Sequence, residues 1–180
     1  KKKFRGKIFF KKIIKRKKNP VKDQLYKISV GIRIANGEFI FLLDGDDLFK
    51  KNKIKNILKN KKKGKLYLDD HILLKKKQLI YKESNNFKNN KLYKLILNSW
   101  PDKVCTSCIS AEKKLFEVFF KNININKYNF LAIDILIIIF NLKNVTKVKK
   151  ILTIKKVLDS SVDTYYSNFL KQIYWERRIE

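Results

Sequence analysis

The stretch that most limits what this chain can fold into is Gly31 to Leu48, where a greasy segment runs straight into three carboxylates. Glu38 to Leu43 (EFIFLL) lacks the polar alternation of a half-exposed strand. The sequence therefore places it as a strand covered on both faces, as in a parallel sheet flanked by helices. Ahead of it, Leu25, Ile28, Ile32 and Ala35 recur at helical spacing, which predicts a helix over Gln24 to Asn36 with Gly37 as its left-handed stop. Behind it come Asp44, Asp46 and Asp47. In open α/β sheets ligands collect beyond the carboxyl ends of strands. Three acids so close repel one another unless a cation is shared, and oxygen-only ligands suit Mg2+ or Mn2+ held between carboxylates and a substrate's phosphates.

Charge has to be weighed against that reading. The chain of 180 residues carries a formal charge of +28, yet five of its 44 basic residues are Arg and the rest are Lys. Readers of bases and phosphates favour the Arg fork. Here Lys is spread along the whole chain among Asn and Ile, a compositional bias that needs no nucleic-acid partner. An anionic membrane surface is the next reading. Two cysteines exclude a disulfide framework, and the longest apolar run, Phe130 to Leu142, is too short to span a bilayer. The chain opens on Lys and has no Met, which reads as a processed chain or a fragment.

Gly31-Ile32, Ala35-Asn36-Gly37-Glu38 and Phe41-Leu42-Leu43-Asp44-Gly45-Asp46-Asp47 resemble the central motif of the family 2 glycosyltransferases of GT-A fold, N-x-G-I-x-x-A-x-G-E-Y-I-x-F-L-D-x-D-D. Ser29, Phe39 and Leu42 depart from it. The resemblance implies an α/β fold with a mixed, mostly parallel sheet flanked by helices. Residues 1–160 would form a partial GT-A domain lacking the first nucleotide-binding strands, because no Asp-Asp-Gly-Ser-type turn precedes the motif. Residues 161–180 would be a C-terminal amphipathic helix packed on it or on a membrane. It also implies that Asp46 binds the metal, Asp44 the metal or the ribose, and that Asp47 supports both. The implied activity is transfer of a sugar from a nucleotide-diphosphate donor to a sugar or lipid-linked hydroxyl acceptor, with inversion, on the cytoplasmic side of a membrane.

Asp134 is the one polar side chain in Phe130 to Phe140, a run apolar all round and hence a buried helix. A carboxylate there is either a helix-terminal group bonded to backbone N–H or a general base whose pKa burial raises. The resemblance favours the base, with Ile133 standing where the family has Glu. It also places Lys155, Lys156 and Ser161 near the diphosphate or the acceptor, and Thr106 and Ser107 near the acceptor.

The rest of the chain yields coarser expectations. Strands are expected at Ile8 to Ile14, Lys65 to Leu68, Ile72 to Leu74 and Gln78 to Tyr81, the last two as a hairpin. Another, at the sheet edge, is expected over Val145 to Ile154. Helices are expected over Lys51 to Lys62 with Ile54, Ile57 and Leu58 inward, over Leu92 to Leu97, over Ala111 to Phe120 with Leu115, Phe116, Val118 and Phe119 inward, and over Ser161 to Arg178. Asp69-Asp70-His71 reads as an exposed polar turn, with a metal site or acid–base pair as the alternative. Cys105 and Cys108 read as buried free thiols, against a redox pair or half of a zinc site that lacks a second Cys pair. The competing functions are a noncatalytic basic protein binding nucleic acid or anionic lipid, and a metal-dependent nucleotidyl- or phosphotransferase.

Overall fold

The computed structural model describes residues 19–75, 78–80, 105–128 and 133–157. The expected strand at Ile8 to Ile14, the helices at Leu92 to Leu97 and Ser161 to Arg178, and Ser161 itself lie outside them.

The first helix, α1 (Pro20–Ile34), starts where chemistry favours a start. Asn19 accepts from the Val21 and Lys22 N–H groups, Pro20 fills the first turn, and Asp23 faces the positive end of the helix dipole. Val21, Leu25, Ile28 and Ile32 form its inward stripe. Its C-terminus differs from expectation. The chain leaves at Ala35 in an extended conformation, and the Lys113 ammonium caps the Ala35 carbonyl at 2.9 Å. Gly37 is not left-handed; among the described residues that role falls to Gly64, at φ 70°.

Next come β1 (Phe39–Phe41), β2 (Leu48–Phe49), α2 (Lys53–Lys59), β3 (Leu66–Lys75) and β4 (Gln78–Ile80). A 3-10 turn (Thr106–Cys108) leads into β5 (Ile109–Glu112), α3 (Lys113–Asn122), α4 (Ile133–Phe140) and β6 (Val145–Lys156). The sheet order is β1-β5-β3-β6-β2, with β4 hairpinned onto β3 as expected. It is a mixed sheet, flanked by helices.

The expectation of a mostly parallel sheet is corrected. Only β3 with β6 is a parallel pair; β1–β5, β3–β5, β3–β4 and β2–β6 are antiparallel. β1 is accordingly not a central parallel strand, since among the described strands it pairs with β5 alone. Its apolar character still has a physical cause. Successive side chains point to opposite faces: Ile40 and Leu42 join the larger core with Leu66, Leu68, Ile109, Ala111 and the helices α1, α3 and α4, while Phe39 and Phe41 join Tyr67, Leu152 and Ile57 of α2. Helices thus cover both faces, and β1 has an apolar neighbour on each.

Three further expectations are revised. β6 is not an edge strand but lies between β3 and β2, with Leu152 and Thr153 buried. On α2, Ile57 is buried, whereas Ile54 and Leu58 face solvent, and the second inward residue is Lys53. On α3, Phe116 and Phe119 are core and Leu115 packs against it, but Val118 is 42% exposed, one position off the stripe. α4 is buried through Ile138, as a helix apolar on every side but for Asp134 should be. No helix among the described residues is long and apolar enough to cross a membrane.

Candidate functional site

The acidic turn is built by a handover at the end of β1. The ladder to β5 continues through Leu42 N–H to the Ile109 carbonyl (3.1 Å). Two residues later a side chain replaces the strand: the Asp44 N–H donates to Ser107 Oγ at 2.9 Å. The chain then reverses, with Asp47 N–H donating to the Asp44 carbonyl at 3.1 Å, so Asp44-Gly45-Asp46-Asp47 is one tight turn.

Within it the three acids differ. Asp47 is buried and faces inward, accepting from the Lys156 N–H at 3.0 Å. Asp44 lies partly buried, with the Gln24 amide 3.4 Å from its Oδ1. Burial pushes the Asp44 carboxyl up to about 6, and the charges of Asp47 and Asp46 add to the rise; Lys155 and the Gln24 amide oppose it. Burial also raises Asp47, against hydrogen bonds from Ser107 and the Lys156 backbone. Burial thus outweighs the stabilising contacts at both positions, so Asp44 and Asp47 each ionise less readily than a free carboxyl.

Beneath it lies a buried ionic network that the sequence did not announce. Lys53 of α2 has no exposed surface. Its ammonium donates to Asp69 Oδ1 at 2.7 Å, to Thr153 Oγ1 at 2.8 Å and to the Ser107 carbonyl, and sits 4.4 Å from the centre of the Phe49 ring. Thr153 in turn donates to Asp69 Oδ2 at 2.7 Å. Burial pushes the Asp69 carboxyl up to about 7, with the Cys108 sulfur adding to the rise and Lys53 and Thr153 pulling down. The expected polar turn at Asp69-Asp70-His71 is corrected. These residues sit in the middle of the ten-residue strand β3, and Asp69 and His71 are buried because α2 and the 3-10 turn supply polar partners there. Asp70 pairs with Lys147 at 2.5 Å. The β3–β6 register shifts on both sides of Asp70, so this segment pairs irregularly.

Cys105 and Cys108 are free and buried, as expected. They close one turn, with Cys108 N–H donating to the Cys105 carbonyl at 2.9 Å, and their sulfurs are 3.2 Å apart. His71 Nδ1 lies 3.6 Å from Cys108 Sγ. Hydrogen bonding to Cys108 and burial push the Cys105 thiol up. Cys108 is lowered, because bonds from Cys105 and His71 and the nearby positive charge outweigh the effect of its burial.

Ser107 is the hub of this region. Its side chain holds the acidic turn, its carbonyl holds Lys53, and the residues on either side of it are Thr106 and Cys108, both buried. Ser107 has no exposed surface, so it supports the turn from below. Lys156 meets Asp47 through its backbone N–H, while Lys155 supplies charge to Asp44 and Asp47. The structure thus brings together Asp44, Asp46, Asp47, Ser107, Lys155 and Lys156 from three distant parts of the chain. Asp134 lies buried in the first turn of α4, where its Oδ1 accepts from the Ile135 N–H at 2.9 Å.

Neither a protein-family model nor a curated protein sequence matches the chain. The likeness to the family 2 glycosyltransferases therefore rests on the motif residues themselves.

Proposed function

We propose that this chain is a metal-dependent inverting glycosyltransferase of GT-A type, moving a sugar from a nucleotide-diphosphate donor to a hydroxyl acceptor in cell-surface polysaccharide or glycolipid synthesis. One observation carries the reading: an anchored turn of three aspartates at the carboxyl end of a strand, with Asp44 pushed up to about 6 by burial and by its two acidic neighbours. A purely structural turn gains nothing from that crowding. A site for Mg2+ or Mn2+ does, because a bound ion would compensate the carboxylates and supply positive charge for a diphosphate.

In this reading Asp46 and Asp44 hold the ion, Asp47 fixes the turn through Lys156, and Lys155 faces the donor phosphates as a point charge. When bound there, Mg2+ or Mn2+ would supply positive charge for the leaving nucleoside diphosphate. Asp134 removes the acceptor proton as the oxygen attacks the anomeric carbon from the face opposite the leaving group. The acceptor is a sugar or lipid-linked sugar, presented at the inner face of a plasma membrane to a protein with this large positive charge.

The test is transfer from a panel of radiolabelled nucleoside-diphosphate sugars to a lipid-extract acceptor, with Mn2+ and with chelator. Asp46→Asn and Asp134→Asn are each expected to lower transfer by about 100-fold or more. Transfer that survives both substitutions and chelation would refute the assignment.

A further inference from the structure

Apart from the acidic turn, the molecule carries a second constellation of ligand-type atoms: Cys105 Sγ, Cys108 Sγ and a nitrogen of His71 all lie within 4.8 Å of one another, and all three residues are buried. We propose that these residues form a site for a soft divalent metal of the zinc class, separate in chemistry from the hard-cation turn, with water as the fourth ligand.

Geometry is the first argument. Tetrahedral zinc with bonds of about 2.3 Å to sulfur and about 2.0–2.1 Å to nitrogen sets ligand separations of roughly 3.7 Å between sulfurs and roughly 3.5 Å between sulfur and nitrogen. The protein has 3.2 Å and 3.6 Å. Opening the two sulfurs by about half an ångström, a side-chain rotation, makes room for the ion.

The second argument is how the donors are held. The Cys-x-x-Cys spacing sits in a 3-10 turn closed by its own backbone bond, so both sulfurs leave from one rigid loop. His71 comes from β3, two residues from Asp69 and therefore on the same strand face. Its Nδ1 points at Cys108, while its Nε2 lies out of water with no hydrogen-bond partner among the described residues. Charge is the third argument. Two thiolates and a neutral imidazole around a divalent ion sum to zero, the one ionised form of this trio that a buried site accepts without a further partner. Bound metal would tie the Ser107 loop to the central strand and so stiffen the support of Asp44.

The full chain, reduced and stripped of metal, is titrated with Co2+ and followed by absorption. The expected result is one equivalent bound, with the d–d bands of a tetrahedral centre and a thiolate-to-cobalt charge-transfer band. Stoichiometric Zn2+ should displace both, and excess Mg2+ neither. His71→Ala is expected to weaken Zn2+ binding by at least about 100-fold, and Cys105→Ser with Cys108→Ser to abolish the charge-transfer band. The wild-type titration depends on no variant folding. Absence of a charge-transfer band in the reduced wild type would overturn the proposal, as would its persistence in the double serine variant.

Discussion

Replacing Lys53 by Met removes the cation from the network under the acidic turn and keeps an unbranched side chain of similar length. Three hydrogen bonds to the ammonium are lost at once, to Asp69, Thr153 and the Ser107 carbonyl. Asp69 keeps only the Thr153 hydroxyl on Oδ2. A buried carboxylate stripped of its cation costs about 3–5 kcal/mol. Its escape is to take up a proton, which at pH 7 adds little to the cost, because the Asp69 carboxyl already stands at about 7 with Lys53 in place. The stranded carboxylate and the hydrogen bonds lost with the ammonium therefore set the loss, about 3 kcal/mol or a fifth or more of the whole stability of an ordinary domain. Proton uptake adds a pH signature. With Asp69 at about 7 in the wild type and higher without Lys53, the folded carboxyl is neutral in both proteins well below pH 7, so the part of the loss due to its charge is expected to grow only as pH rises through 7. Adding Asp69→Asn removes the stranded charge and lets the Thr153 hydroxyl turn to the Ser107 carbonyl, 3.3 Å away. The double variant should recover at least about 2 kcal/mol of the loss. Urea unfolding followed by circular dichroism measures all three proteins. A Lys53→Met loss below about 1 kcal/mol at pH 7, or additive single effects, would refute the network as a stabilising unit.

Two other substitutions probe separate parts of the account. Asp44→Asn should stabilise the metal-free protein at pH 7 by up to about 3 kcal/mol and have no effect near pH 4, since the folded pKa of about 6 exceeds the unfolded value and that stability is lost between the two; thermal unfolding at both pH values checks the sign. Asn19→Ala should cost about 1 kcal/mol by uncapping the Val21 and Lys22 N–H groups, read as a lower urea midpoint with unchanged slope.

Much of the fold could be read because local rules govern it. The α1 stripe and the β3–β4 hairpin follow from period and turn chemistry, and the run of Ile133 to Ile138, apolar but for Asp134, reads directly as a buried helix. The acidic turn was legible for the same reason, as Asp and Gly after a greasy strand have few places to go. What escaped depends on contacts between distant segments. A run such as Phe39 to Phe41 is apolar whether its neighbours are parallel or antiparallel, so strand direction was not in the pattern. Lys53 is one of 39 lysines, and nothing local marks it as the one that enters the core. Asp69-Asp70-His71 resembles a turn until Lys53, Thr153 and Cys108 arrive from 16, 84 and 39 residues away to satisfy it. Its placement between two apolar stretches of strand-like composition was the available signal.

The most direct test of the account is Mn2+ binding followed by electron paramagnetic resonance, with UDP and GDP as probes. The account has Asp46 and Asp44 holding the ion and the diphosphate completing its shell. Wild-type protein is therefore expected to quench the free Mn2+ signal, more strongly with nucleoside diphosphate present, and Asp46→Asn to restore it by at least about tenfold in affinity at unchanged fold. Equal Mn2+ binding by wild type and Asp46→Asn, or diphosphate binding indifferent to chelator, would contradict it.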